Sequence, residues 1–130
     1  MIDPTIQRLF EQAVDTPTKL QLLLLFHESP KLEVTALQVA ERTYRDIWST
    51  REALRELAED GVLVVMGGRD EPAYRYRPAS HQVEPIRRLI DSYNEPLERD
   101  QLQFALRQIA SDAPYRRALR GGLAFEAVVF

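Results

Sequence analysis

Cysteine is absent from the 130 residues, histidine occurs twice and glycine five times. Without thiols there is no disulfide framework and no thiolate metal site. His27 has no second His, Asp or Glu at ligand spacing, so a structural role is expected for it and no metal site is read from the chain. The few glycines form no phosphate-cradling loop, because Gly67-Gly68 lie between two strand-like runs rather than between a strand and a helix. The two histidines, the Ser and Thr residues and the scattered carboxylates make no recognisable nucleophile–base pattern. A nucleophile–base set is therefore missing, and the expectation is a protein that is not an enzyme and takes no cofactor. Long apolar runs are missing too. The longest, Leu22 to Phe26, is far too short to span a bilayer. The opening MIDPTIQRLF lacks the basic and apolar regions of a secretory signal, so the expected location is cytoplasmic. An excess of positive charge is also lacking: 17 basic and 20 acidic residues give a net charge of −3. That excludes an indiscriminately basic nucleic-acid coat protein but not a local basic face. Only the stretch from 62 to 80 is net positive, with Arg69, Arg75 and Arg77 against Asp70 and Glu71.

What is present is a hydrophobic content of 45% with 28% charged residues, which suits one packed domain, or one domain with an appended element. Asp3-Pro4 and Thr16-Pro17 each combine a capping side chain with proline at a first helical position, so two helices are expected to start there. The first presents Ile6, Leu9, Phe10, Ala13 and Val14 at helical spacing and ends near Asp15. The second carries Leu20 and the run Leu22 to Phe26. It is apolar almost all round and should be the buried central helix, stopped at Ser29-Pro30. Lys31 to Val34 reads as a short extended link.

The stretch from Thr35 to Tyr76 organises the rest. Thr35 and Gln38 form a capping-box pattern that opens a helix ending near Arg42 or Thr43. Tyr44-Arg45 makes a tight link without glycine, and Asp46 caps the next helix, Ile47 to Glu59. In that helix Thr50, Ala53, Leu54 and Leu57 face inward, while Trp48, Arg51, Glu52, Arg55 and Glu59 face outward. Gly61 is suited to a positive φ after the helix end. Val62 to Met66 and Ala73 to Arg77 read as the two strands of a hairpin joined by a turn over 67–72.

Beyond Pro78, Ser80 to Asn94 reads as a helix with Val83, Ile86, Leu89, Ile90 and Tyr93 on one side and Pro85 in its first turn. A further helix carries Leu102, Leu106, Ile109, Ala110 and Ala113, and Pro114 stops or bends it. Gly121-Gly122 is read as a joint, and Leu123 to Phe130 as an apolar, β-prone tail that needs a cover. The fold class expected is mainly α with a small β-hairpin. Residues 1–79 form a helix-turn-helix domain with a wing, and residues 80–130 form a C-terminal helical extension suited to dimerisation.

Thr35, Ala36, Val39, Ala40 and Glu41, followed at unbroken spacing by Ala53, Leu54, Leu57 and Glu59-Asp60-Gly61-Val62-Leu63, resemble winged helix-turn-helix transcription regulators of the MarR-like kind. The likeness extends to about Arg77, and the flanking helices match only in order and length. Tyr44, Arg45, Asp46 and Trp48 depart from the usual turn glycine, apolar residue, serine cap and polar reader. The resemblance implies a homodimer that binds double-stranded DNA with the Ile47–Glu59 helix and a wing over 62–77. Arg51 and Arg55 are then expected at base edges or phosphates, and Ser49, Trp48 and Arg45 at the helix start. Arg69 is expected at the wing tip, with Arg75 and Arg77 on its flank; the arginine fork suits guanine and phosphate. The alternative is a protein–protein interaction module without DNA binding, in which Arg51 and Arg55 pair with Glu52, Glu56 or Glu59 on a solvated face. A regulator that senses a ligand between the C-terminal helices and the winged part is compatible with the first.

Overall fold

A computed structural model describes residues 2–67 and 70–120. Within them the protein is mainly helical, with one small antiparallel sheet. The elements in chain order are α1 (Pro4–Gln12), α2 (Pro17–Glu28), β1 (Glu33–Thr35), α3 (Ala36–Thr43), α4 (Ile47–Glu59), β2 (Leu63–Met66), β3 (Ala73–Tyr76), α5 (Ser80–Tyr93), α6 (Pro96–Ser111) and α7 (Ala113–Arg120). The apolar tail and its glycine joint, residues 121–130, lie outside the described residues.

Helix starts follow the capping chemistry. The Asp3 carboxylate accepts from the Thr5 N–H at 2.6 Å, and the Thr16 hydroxyl accepts from the Lys19 N–H at 3.2 Å. Each satisfies a donor that the first helical turn leaves without a partner. On α2, Leu20, Leu22, Leu23 and Phe26 are buried, and Leu24 and Leu25 pack partly against the core. This helix touches α4, α6 and β3, which makes it the central pillar. Burial of each such side chain favours the fold by about 1.5–3 kcal/mol. One buried cluster runs from Ile6 through Leu54, Leu57 and Leu63 to Ile109, so α5 and α6 close the same core as α1 to α4.

The stretch expected as a bare link, Lys31 to Val34, contributes a strand. β1 pairs antiparallel with β3, Val34 opposite Tyr74, and β3 pairs with β2, Val65 opposite Tyr74. The sheet order is β1-β3-β2, three strands rather than a two-stranded hairpin. The sheet tucks Val34 and Tyr74 inward, both under 6% exposed. His27 meets the sheet from α2, with Nδ1 3.3 Å from the Tyr76 hydroxyl and the two rings edge to face.

Three expectations for the C-terminal half need correction. Pro85 is the sixth residue of α5, not a first-turn residue. The first turn is held instead by Gln82, whose Nε2 donates to the Asp60 carbonyl at 2.9 Å, and by the Ala79 N–H, which donates to the Gly61 carbonyl at 2.7 Å. Those ties anchor the helix start five residues before the proline. They also turn Gln82 inward, so the buried stripe is Gln82, Ile86 and Leu89, while Val83 stands 53% exposed. Finally, Pro114 lies in the first turn of α7, where its missing N–H is harmless; α6 has already ended at Ser111.

Candidate nucleic-acid interface

The segment from α3 to β3 is built by local rules. Thr35 accepts from the Gln38 N–H at 3.3 Å, and the Gln38 side chain accepts from the Thr35 N–H at 3.0 Å, closing the capping box. α3 ends at Tyr44, a non-glycine residue at φ 56°, whose N–H bonds back to the Ala40 carbonyl. The left-handed turn redirects the chain within two residues, and Asp46 caps α4 by accepting from the Ser49 N–H at 2.8 Å. The Ser49 hydroxyl also donates to the Asp46 carboxylate. These two bonds from Ser49 hold the Asp46 carboxyl below its usual range. Thr50, Ala53, Leu54 and Leu57 are buried as the spacing requires. Gly61 follows at φ +84°, with an added Cβ only 3.3 Å from the Ala79 Cβ, so both the backbone angle and the close approach need glycine.

The outer face of α4 divides into two unlike ends. At the N-terminal end Trp48 is 72% exposed and Tyr44, in the turn, 96% exposed. Arg45 is exposed, and its Nε donates to the Gln21 side chain at 2.5 Å. The Arg51 guanidinium lies 5.7 Å from the Trp48 ring centre and 3.2 Å from the Glu71 carboxylate. Both partners of that ion pair are more than 40% exposed, which makes it weak. At the C-terminal end Arg55 is enclosed by carboxylates. It bonds Glu52 and Glu59 and lies 3.6 Å from Glu56. Hydrogen bonding to Glu52, the largest influence, raises its pKa further.

Of the expected contact residues, Arg45, Trp48, Ser49 and Arg51 therefore lie together at the start of α4. Arg55 lies one turn on and meets three carboxylates where Arg51 meets one, in pairs with Glu52 and Glu59 that are as exposed as the Arg51–Glu71 pair. Arg75 is exposed in mid-β3, opposite Glu33 and Val64, and Arg77 is exposed just past the strand. Neither side chain makes an ion pair or hydrogen bond among the described residues. Arg69, expected at the wing tip, lies outside the described residues.

A charge cluster behind α4 was not expected from the sequence. Lys19, 2% exposed, places Nζ 2.6 Å from Asp15 and 2.5 Å from Glu56. From α7, Arg117 reaches Glu56 at 3.2 Å and Glu59 at 3.3 Å, and bonds Asp60. Burial, set against the Lys19 hydrogen bond, leaves the Glu56 carboxyl above its ordinary value. The only local signal was the four-residue spacing of Asp15 and Lys19, with a lysine inside an otherwise apolar helix.

Among the described residues no group of His, Asp or Glu is arranged to hold a metal ion, and no helix is long and apolar enough to cross a membrane. Two shallow grooves lie elsewhere on the surface, the second reaching this face at Arg45. One, of about 660 Å³, is apolar and lies between the start of α1 and Phe104 of α6. The other, of about 400 Å³, lies between α2 and α6 and includes Arg45, Tyr93 and Arg107. The chain matches no protein-family model, no curated protein and no solved structure.

Proposed function

We propose that the protein is a winged helix-turn-helix regulator of the MarR-like kind that binds double-stranded DNA, with α4 as the reading helix and the β2–β3 hairpin as its wing. The observation that carries this reading is the arrangement of α3, a two-residue turn and α4 closed by the β1-β3-β2 sheet, with Trp48 and Arg51 paired on the outer face of α4 and Arg45 exposed in the turn before it. A major groove admits one helix, and a second helix packed across it sets its angle. Arg75 and Arg77 lie on the hairpin with guanidinium groups uncommitted among the described residues. The chain acts as a homodimer through its terminal helices, with the two reading helices about 34 Å apart to match one DNA turn. Location in the cytoplasm, action without a cofactor and the absence of catalysis belong to the same proposal.

Selection of duplexes from a random pool at low salt tests it. The expected outcome is enrichment of a sequence with two related half-sites, bound with affinity that falls steeply as salt rises. Failure of a folded dimer to enrich any duplex would sink the proposal.

One observation favours the second reading, a winged helix used for protein contact. Arg55 is enclosed by three carboxylates, while Tyr44 and Trp48 stand open beside it, and exposed aromatics with arginine are typical anchors of protein interfaces. Co-purification of a defined partner lost on Trp48→Ala, together with no enriched duplex, would establish it.

A further inference from the structure

We infer that Trp48 is the specificity-determining contact of this face, and that it reads the C5-methyl group of thymine in the major groove. The inference rests on the DNA-binding proposal above and assigns the base that its first contact selects.

The reasoning begins with what the first turn of α4 has left to offer. Asp46 and Ser49 are bonded to each other and to the backbone, so neither is free to recognise a base edge. Arg55, one turn on, lies among Glu52, Glu56 and Glu59, whose summed negative charge opposes the approach of phosphate there. The free surface is the Trp48 indole, 72% exposed, with the Arg51 guanidinium 5.7 Å from its ring centre. Tyr44 extends the same end of the helix pair at 96% exposure. It does so from a left-handed backbone at φ 56°, a strain of about 1 kcal/mol that glycine would relieve and that projects an aromatic ring outward.

Charge fits this occupant. From Arg42 to Arg51 the chain carries three arginines against one acid, Asp46, whereas from Glu52 to Asp60 it carries Arg55 against four acids. The Glu71 partner of Arg51 is itself 41% exposed, so phosphate can displace it. Within the major groove the thymine methyl is the only apolar group any base pair presents. An open indole flanked by arginine therefore matches thymine, with the indole N–H left to donate to a neighbouring acceptor and Arg51 to the adjacent base or phosphate.

Alternating poly(dA-dT) and poly(dA-dU) duplexes differ only in that methyl group and serve as the probes. Trp48 is the sole tryptophan, so its fluorescence reports the contact directly. The expected result is salt-dependent binding of both polymers, a change in Trp48 emission, and tighter binding to the thymine polymer by about fourfold for each Trp48 contact, the worth of one buried methyl. Trp48→Ala should abolish the preference while leaving the melting temperature unchanged, since the ring is mostly in water. Equal binding of the two polymers, binding that leaves Trp48 emission untouched, or a preference that survives in Trp48→Ala would overturn the inference while leaving DNA binding intact. Binding of neither polymer would overturn the inference, and the DNA-binding proposal with it if the random pool also yields no enriched duplex.

Discussion

The two ends of α4 share one helix and differ in almost every physical respect. The N-terminal end is capped by a self-contained Asp46–Ser49 pair and presents aromatic and cationic groups to water. The C-terminal end carries Glu52, Glu56, Glu59 and Asp60 and is tied down from two directions, by Lys19 of α2 and Arg117 of α7. Fixing a helix at one end orients the other without spending any of its side chains. An outward-facing arginine, such as Arg55, is then drawn toward the carboxylates of the anchored end.

The largest expected effect breaks the anchor. Lys19→Ala removes the ammonium that buried Asp15 and partly buried Glu56 share, leaving Glu56 only the Arg117 guanidinium and the more distant Arg55, and should cost about 3–5 kcal/mol in urea denaturation. A loss below about 1 kcal/mol would mean that water reaches the cluster, and the contrast between the two ends would collapse. Next comes a comparison of Arg51→Ala with Arg55→Ala in binding to a selected duplex. Arg51→Ala should weaken binding by about tenfold, within the worth of a good base or phosphate contact, and Arg55→Ala by less than about twofold. Equal losses would show that the carboxylate cage opens on binding. Tyr44→Gly relieves the left-handed backbone and should raise stability by up to about 1 kcal/mol, read as a higher melting temperature. An unchanged or lower melting temperature would mean that the Tyr44 ring is held by contacts worth more than its strain.

The smallest effects are in the pH dependence, where the two ends should respond with opposite signs. The Asp46 carboxyl is held below its unfolded value by Ser49, so its stabilising contribution is present above that value and is lost as pH falls through the folded one. The Glu56 carboxyl is raised by burial, so the folded state holds its proton more tightly. Stability from this group therefore declines as pH rises from the unfolded value through the folded one. Denaturation of Asp46→Asn and Glu56→Gln variants from acid to neutral pH should remove these two opposed slopes one at a time. Slopes of the same sign would contradict the assignment of burial as the dominant influence on Glu56.

Elements marked by their own sequence were legible. Thr16, Thr35 and Asp46 announce helix starts because a cap needs only a side chain and a donor two or three residues on, and the inward face of α4 follows from spacing alone. Strand β1 was not legible, since three residues carry no period and become a strand only because β3 lies beside them. The left-handed turn at Tyr44 was hidden for a different reason: nothing but glycine advertises that backbone. Within the candidate interface, periodicity placed Arg51 and Arg55 on the outer face but could not tell them apart. Their difference depends on Glu71, twenty residues from Arg51, and on the density of acids one turn further along α4. The anchoring cluster was equally out of reach, because Lys19 and Glu56 are 37 residues apart and meet only after α2 and α4 have packed.

Thr35 is both the last residue of β1, opposite Ala73 of β3, and the cap of α3. A single residue thus rivets the hairpin to the helix pair, so the two cannot swing apart without breaking a strand pair and a capping box together. A partner of the described part of this surface meets α3, α4 and the paired strands already tied together. For these elements encounter resembles the docking of a finished key, with little chain entropy to surrender on contact.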